Sequence, residues 1–194
     1  MNRCACAVLL WASWCTSAPA QPPAERKDPQ SAIEPRSAPG EGQKFLAQFV
    51  GDWNVEKSFH PREGPPVKTA GTCRQQLIHG GRFLRSEFTF DGTNGQSTGT
   101  GLIGFEPSTG LFTSMWIDSR STRFSYRMSS EKFDGKSIVL RAAALEGAPG
   151  RQSKTVTTVE DGGRRIVHTQ YGQATDGSER IVMKLVMTKA AKPN

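Results

Sequence analysis

The sequence contains 194 residues, of which 36% are hydrophobic, 22% charged and 8% aromatic; this is typical of one globular domain, and the formal net charge at pH 7 is +7. No apolar run approaches the ~20 residues that a helix needs to span a bilayer, so we do not expect an integral membrane protein. The basic side chains are scattered, without a recognition helix or a stacking-aromatic motif, so we expect no nucleic-acid partner.

Residues 1–20 have the pattern of a secretory signal peptide. Arg3 supplies the positive start, residues 5–14 form a short apolar stretch, and a small-x-small cleavage motif ends at Ala20. We therefore predict cleavage after Ala20 and an exported mature protein, either periplasmic or secreted. One alternative stays open, in which Cys15 is a lipid-modified first residue.

The predicted signal also contains most of the cysteines. Cys4, Cys6 and Cys15 lie inside it, so Cys73 is the single cysteine of the predicted mature chain. One cysteine forms no internal disulfide, and stability must therefore come from a packed core. We interpret Cys73 as a small, half-buried hydrophobe rather than a reactive thiol.

The segment after the signal is rich in proline, serine, alanine and mixed charge. Residues 21–42 are therefore predicted to be a disordered linker, followed by a folded domain at 43–189 and a polar tail at 190–194. The domain begins with one convincing helix, at residues 44–50, whose apolar side chains share a face. It is too short to be stable alone, so it must pack as a lid or plug.

The rest of the domain alternates apolar and polar residues with period two, and the chain's 20 glycines and 12 prolines suit the turns between strands. The predicted strands are 53–59, 67–78, 82–90, 97–105, 111–118, 122–129, 137–145, 154–159, 165–171 and 180–188. Short connections imply antiparallel neighbours, and closure removes exposed edges. We therefore predict an all-β fold, an antiparallel up-and-down β-barrel of about ten strands with one short N-terminal helix.

The alternation also predicts which side chains face the interior. Leu84, Ser86, Phe88 and Phe90 share one strand face, and Met183, Leu185 and Met187 share a face of the last strand, together with Ile181. The interior of such a barrel is either filled by side chains or holds a cavity of ~300–1,000 Å³. Both possibilities are open at this point.

A G-x-G-x-x-G pattern at Gly99, Gly101 and Gly104 resembles a phosphate-binding loop. That fingerprint requires a strand before it and a helix opening from it, whereas here the chain turns into another strand. We therefore interpret these glycines as bends or close-packing points in a curved barrel wall.

Several separated segments resemble a bacterial family, the domain of unknown function 1579. The segments are 51–55, 80–87, 99–107, 116–119 and the late hairpin at 176–177. The resemblance covers about residues 44–189. Gly51-x-Trp53 also resembles the calycin (lipocalin-like) pattern, in which the tryptophan plugs one barrel end. The resemblance implies a calycin-like barrel and no established activity.

Five residues are candidates for ligand contact: Trp53, Trp116, Asp118, Tyr126 and His168. For both tryptophans the alternatives are a structural anchor and a ligand-stacking wall; anchoring is favoured for Trp53, and the two are balanced for Trp116. Trp116 shares a strand face with apolar and polar residues, as in a binding wall.

Asp118 has two interpretations. It precedes a polar turn, which favours an Asx-type cap. The alternative is a carboxylate at the cavity mouth, paired with Arg120, Arg123 or Arg127. Glu87 is expected to form a cross-strand ion pair of little energetic value.

The histidines His60, His79 and His168 lack the spacing of a zinc site, so we predict no metal. His168 alternates with Ile166 and Gln170 and therefore can face inward. We predict no cofactor, and haem ligation by His168 is the less favoured alternative. No nucleophile–base pair is identifiable, so we name no catalytic residues and favour binding over catalysis.

These observations predict an exported barrel that binds a small, mainly apolar molecule in its interior. The first alternative is a solid-cored structural or protein-interaction module of the envelope, with an apolar patch outside. The second is a haem-binding or hydrolytic barrel enzyme.

Overall fold

The computed structural model describes residues 30, 33, 37–92, 95–142, 153–174 and 176–191. The chain divides into two units, Met1–Arg36 and Ser37–Asn194. In the first unit, the backbone N–H of Ile33 donates to the carbonyl of Gln30 at 3.0 Å. The predicted signal peptide, most of the predicted linker and the last three residues of the tail lie outside the described residues.

The second unit contains one short helix and a closed barrel of ten strands. The helix, α1, is Glu41–Leu46 and continues as a 3-10 turn at Ala47–Phe49. The strands are β1 Gly51–Phe59, β2 Val67–Ile78, β3 Phe83–Gly92, β4 Gly95–Glu106, β5 Leu111–Asp118, β6 Ser125–Met128, β7 Ser137–Ala142, β8 Ser153–Glu160, β9 Arg165–Gln173 and β10 Glu179–Lys189. Among the described residues, no helix is long and apolar enough to cross a membrane.

Each strand pairs antiparallel with its neighbours in the sequence, and β1 closes the ring against β10. At this closure Trp53 lies opposite Lys189, and on its other side Trp53 lies opposite Cys73 of β2. The topology confirms the predicted up-and-down barrel and its strand number. Because β1 pairs with β10, neither the first nor the last strand is a free sheet edge.

The strands form where alternating apolar residues stand between turn residues. The bounds of β2 and β5 are those predicted from the sequence. The strand predicted at 122–129 is shorter, because the side-chain oxygens of Asp118 and Ser121 accept hydrogen bonds from backbone N–H groups and hold the preceding residues in a turn. The last three residues predicted for β7 lie outside the described part of the chain.

The helix begins earlier than its apolar pattern predicts, at Glu41 rather than residue 44. The Gln43 side chain explains this start. Its Oε1 accepts from the backbone N–H of Gly40 at 2.7 Å, and its Nε2 donates to the backbone carbonyl of Phe105 at 2.7 Å. These bonds order a polar turn that the sequence assigns to the linker.

The helix packs into one end of the barrel, as the sequence predicts for a plug. Phe45, Leu46 and Phe49 are buried. The ring centroids of Phe45 and Phe133 are 5.0 Å apart. Trp53 is 1% exposed, and its indole N–H donates to the Phe49 carbonyl at 2.8 Å. This end of the barrel is therefore closed by aromatic side chains and by a hydrogen bond between the plug and β1.

Candidate functional site

The barrel encloses a cavity of about 320 Å³. This volume is at the low end of the ~300–1,000 Å³ usual for small-molecule pockets. Its apolar lining residues are Phe49, Leu84, Phe88, Phe90, Ile103, Met115, Trp116, Leu140, Met183, Leu185 and Met187. Its polar lining residues are Lys57, Gln75, Ser86, Ser114, Asp118, Arg120, Ser125, Arg127, Thr155, Thr157, His168 and Gln170.

The two ends of the cavity differ in chemistry. Phe49, from the plug, forms the floor. Lys57, near the far end of β1, and Asp118, at the far end of β5, line the opposite end. There Arg120 has a side chain that is 62% exposed. The cavity therefore has an aromatic floor and a charged mouth.

Trp116 is held flat against two glycines of the neighbouring strand. A Cβ built on Gly99 would lie 2.3 Å from Cζ2 of the Trp116 ring, and one on Gly101 would lie 3.4 Å from its Cε3. On another side the ring meets Phe88 edge-on, with centroids 5.5 Å apart. The close-packing interpretation of the glycine pattern is therefore confirmed at Gly99, where a side chain has no room.

Asp118 fixes the indole from the mouth side and forms the predicted Asx turn. Its Oδ2 accepts from Trp116 Nε1 at 2.9 Å and from Arg120 Nη2 at 3.1 Å, and its Oδ1 accepts from the Arg120 backbone N–H at 2.8 Å. Burial alone raises the Asp118 pKa, but these hydrogen bonds and the Arg120 charge outweigh burial and lower the pKa to about 2. Both interpretations of Asp118 therefore hold, and Arg120 is the paired arginine.

A second polar group lies on the strands opposite the apolar wall. Nδ1 of His168 is 2.8 Å from Oγ1 of Thr157. Burial, and then the charge of Arg127, lower the pKa of His168 to about 4. The imidazole is therefore neutral at pH 7 and takes part as a neutral hydrogen-bonding group.

Arg127 faces the same interior, and its Nε is buried without a hydrogen-bond partner among the described residues. Burial lowers its pKa, yet a guanidinium stays charged in proteins. At the mouth, the Lys57 ammonium lies 4.0 Å from the centroid of the Phe90 ring. Burial, followed by the Arg120 charge, lowers the Lys57 pKa.

The structure brings together three of the five predicted site residues. Trp116, Asp118 and His168 line the cavity. Trp53 is not among the lining residues; it lies at the plugged end with the Lys189 ammonium 4.6 Å from its ring centroid. Tyr126 is also absent from the lining, because Ser125 and Arg127 on either side of it take the inward positions.

Lys57 is the main site residue that the sequence analysis missed, and Arg127 was named there only as a possible partner of Asp118, not as a wall residue. Period-two alternation was available for both, but a charged residue within a strand is normally assigned to the solvent face. On β6, alternation does not by itself say which of two adjacent residues faces the interior. A register shift of one residue exchanges Tyr126 and Arg127 between the inner and outer faces.

The site offers apolar contact, hydrogen bonds and positive charge rather than an activated nucleophile. The Thr157–His168 pair joins a hydroxyl to an imidazole, but no carboxylate among the described residues bonds to His168, and its low pKa makes it a weak base at pH 7. Cys73 is 2% exposed, and burial raises its pKa to about 12. The described residues contain no group of three or more potential metal ligands.

Glu87 pairs along its own strand rather than across strands. Its carboxylate Oε1 lies 3.7 Å from Nε of Arg85, and both side chains face outward. The cross-strand partner predicted from the sequence is not the one observed, because Arg85 is two residues away on the same face. The pair is exposed and contributes little to stability.

A plugged, ten-stranded antiparallel barrel around a small cavity defines a calycin-like protein. The family model described as Protein of unknown function (DUF1579) matches residues 38–189. The chain therefore belongs to this family, as the resemblance in its sequence predicted. Comparison with curated proteins gives no match.

Two solved structures share the fold at low sequence identity. Rv2717c from M. tuberculosis is 12% identical, with a TM-score of 0.57, and the match covers 78% of this chain and 99% of that one. The S-type phycobiliprotein lyase CPES from Guillardia theta is 10% identical, with a TM-score of 0.53, and the match covers 84% of this chain and 98% of that one. At these identities the likeness concerns the fold alone.

Proposed function

We propose that the protein binds a small, mainly apolar molecule inside the barrel. The observation that carries this proposal is the cavity of about 320 Å³, whose wall contains a set of aromatic, leucine and methionine side chains together with polar ones. A barrel that serves only as a scaffold gains stability by filling this space, because empty apolar cavities cost free energy.

The position of the opening agrees with this function. The plug, with Phe49 and Trp53, closes one end, so a ligand reaches the apolar wall from the end that carries Lys57, Asp118 and Arg120. Trp116 is held rigidly beside that route by its bond to Asp118. A rigid aromatic wall binds a flat or aliphatic body at little entropic cost.

Native mass spectrometry of protein purified from its own host tests the proposal directly. We expect a retained mass of small-molecule size that is lost on denaturation. In parallel, N-phenyl-1-naphthylamine, a neutral fluorescent probe, is titrated into the wild type, Ser86→Phe and Ser86→Ala. Ser86 is buried and lines the cavity, so phenylalanine fills the space while alanine leaves it open.

The expected result is binding to the wild type and to Ser86→Ala, and loss of binding in a folded Ser86→Phe. The proposal is wrong if the host protein carries no small molecule and the probe does not bind. It is also wrong if Ser86→Phe binds the probe as well as the wild type does, since the probe then sits outside the cavity.

A protein-interaction module is the second candidate, and one observation favours it. Ile117, Phe124 and Met128 are each more than 40% exposed and lie on or beside the adjacent strands β5 and β6. An exposed apolar patch of this kind is a common mark of a contact surface. Self-association that is abolished by Ile117→Lys, with probe binding intact, would favour this candidate.

The haem alternative depends on His168. Its Nδ1 is engaged by Thr157, while its Nε2 makes no hydrogen bond to the described residues. Haem ligation by this histidine predicts a Soret absorption band in the host-purified protein and its loss in His168→Gln. Absence of the band in freshly purified protein removes this alternative.

Export is part of the proposal. The positive start, short apolar stretch and cleavage motif of residues 1–20 support it. We expect the mature protein in the envelope or medium to begin at Gln21, as measured by intact mass. Replacing Ala18 and Ala20 by large residues is expected to block processing, and unchanged processing would contradict the predicted cleavage site.

A further inference from the structure

The charges on the cavity wall do not balance. The lining contains three cationic side chains, Lys57, Arg120 and Arg127, and one carboxylate, that of Asp118. Asp118 and Arg120 form an ion pair at 3.1 Å. His168 is neutral at pH 7 because its pKa lies at about 4. Two cations, Lys57 and Arg127, are therefore left without a carboxylate partner among the described residues that line the cavity.

Arg127 is the more unusual of the two. Its Nε is buried and has no hydrogen-bond partner among the described residues, and none of the ion pairs formed by those residues involves its guanidinium. Arg127 is half-buried, and a charge that loses part of its hydration without gaining a partner is unfavourable, so protein interiors normally pair such groups. The side chain faces the cavity, and an occupant of the cavity is the partner that this position allows.

The wall near Arg127 is suited to a polar group. Arg127 lies opposite Ser114 in the β5–β6 register, and Thr155 on β8 places a buried, unpartnered Oγ1 on the same lining. The opposite strands contribute Phe88, Phe90 and Leu185. The cavity wall therefore combines hydrogen-bonding groups near Arg127 with hydrocarbon from β3 and β10, while Lys57, Gln75 and Ser86 add polar groups on β1 to β3.

From this arrangement we propose that the cavity takes a small amphipathic anion, whose apolar body packs on Trp116 and the β3 and β10 side chains and whose single carboxylate, sulfonate or similar oxyanion group pairs with the guanidinium of Arg127. A guanidinium fork matches such a planar or tetrahedral oxyanion through two parallel N–H···O bonds. The inference rests on the proposed function, because it assigns a ligand class to the same cavity.

Two fluorescent probes that share one apolar body separate this inference from the proposed function. N-phenyl-1-naphthylamine is neutral, and 8-anilinonaphthalene-1-sulfonate carries the same rings with one sulfonate. Both are titrated into the wild type, Arg127→Met, Arg127→Lys and the matched control Arg123→Met. Arg123 lies on the preceding turn, is exposed and does not line the cavity.

We expect Arg127→Met to weaken binding of the sulfonate probe on the order of tenfold or more, since the variant removes one partner of a buried charge pair. A tenfold change in affinity corresponds to about 1.4 kcal/mol. The affinity for the neutral probe is expected to change less than about threefold, because its apolar contacts remain. Arg127→Lys should retain part of the sulfonate affinity, and Arg123→Met should retain all of it.

The outcomes are distinguishable. The inference is overturned if Arg127→Met loses affinity for both probes equally, or if its affinity for the sulfonate probe is unchanged. In either case the proposed function stands as long as the wild type binds the neutral probe. Failure of both probes to bind the wild type overturns both. Should Arg127→Met not fold, displacement of the sulfonate probe from the wild type decides: displacement by decanoate and not by 1-decanol supports the inference, and equal displacement overturns it.

Discussion

The contact between Gly99 and Trp116 leads to a sharp prediction about the cavity wall. A Cβ at position 99 would lie 2.3 Å from Cζ2 and 2.4 Å from Cη2 of the indole. The ring is not free to move away, because Asp118 holds its Nε1 at 2.9 Å and Phe88 packs against it. We therefore expect Gly99→Ala to force the indole out of its position and to destabilise the fold.

The magnitude follows from two opposing terms. Forcing an extra group into a packed interior costs about 1–3 kcal/mol. Replacing glycine by alanine gains about 0.4–1 kcal/mol by restricting the unfolded chain. For Gly99 the steric cost dominates. For Gly101, on the same strand and beside the same ring, the nearest atom is at an ordinary 3.4 Å, so Gly101→Ala is expected to be neutral or slightly stabilising.

Urea unfolding followed by circular dichroism measures both free energies of unfolding. The comparison is repeated with Trp116→Leu, which lacks the ring atoms that clash. In that background the two alanine variants should have equal stability, so the double-mutant cycle isolates the contact. If Gly99→Ala is as stable as Gly101→Ala in the presence of Trp116, the packing argument is refuted.

Three further predictions concern pH and the plug. As pH falls from 6.5 to 4, the free energy of unfolding of the wild type should decrease by up to about 3 kcal/mol. The reason is that the unfolded chain binds a proton at residue 168 that folded His168, with a pKa of about 4, does not. In urea unfolding, His168→Gln should remove this pH dependence. Asp118→Asn should cost about 1–2 kcal/mol at pH 7, where the wild-type carboxylate pairs with Arg120, and the difference should disappear as pH falls from 3.8 toward the Asp118 pKa of about 2. Gln43→Ala should cost about 1–3 kcal/mol, because it leaves a buried carbonyl unpaired, whereas Gln48→Ala, at an exposed position of the plug, should be neutral.

Each of these predictions has a contradicting result. Parallel pH profiles for the wild type and His168→Gln would mean that the imidazole protonates as freely in the fold as outside it. A constant cost of Asp118→Asn down to pH 2 would mean that the charge of the carboxylate is irrelevant there. Equal costs at positions 43 and 48 would mean that the bond from Gln43 to the barrel contributes nothing.

The strands were predictable because two independent sequence features mark them. Residues such as Leu84, Ser86 and Phe88 alternate with period two, and glycine-containing turns separate the segments. The observed barrel confirms all ten strands, and the bounds differ mainly where side chains hold a turn, as Asp118 does. Local pattern and turn chemistry are short-range properties, so one sequence is enough to reveal them.

The site was predictable only in part, because its charges contradict the usual burial of residue types. Trp116 and His168 were found from alternation, since each shares a face with apolar neighbours. Arg127 was missed as a wall residue, because nothing local distinguishes an inward arginine from an outward one. Whether the interior is hollow depends on the summed volumes of side chains from ten strands, and this is a long-range property.

The pairing of β1 with β10 has a consequence for how the molecule forms. Trp53 meets Lys189 across the closing ladder, and the Lys189 ammonium donates to the Val50 carbonyl at 2.6 Å. These contacts join the two extremes of the barrel sequence, so loop-closure entropy opposes them until every intervening hairpin exists. The ring therefore closes only after the final strand is available. A chain shortened before residue 179 would have two unpaired strand edges that could pair with other protein chains.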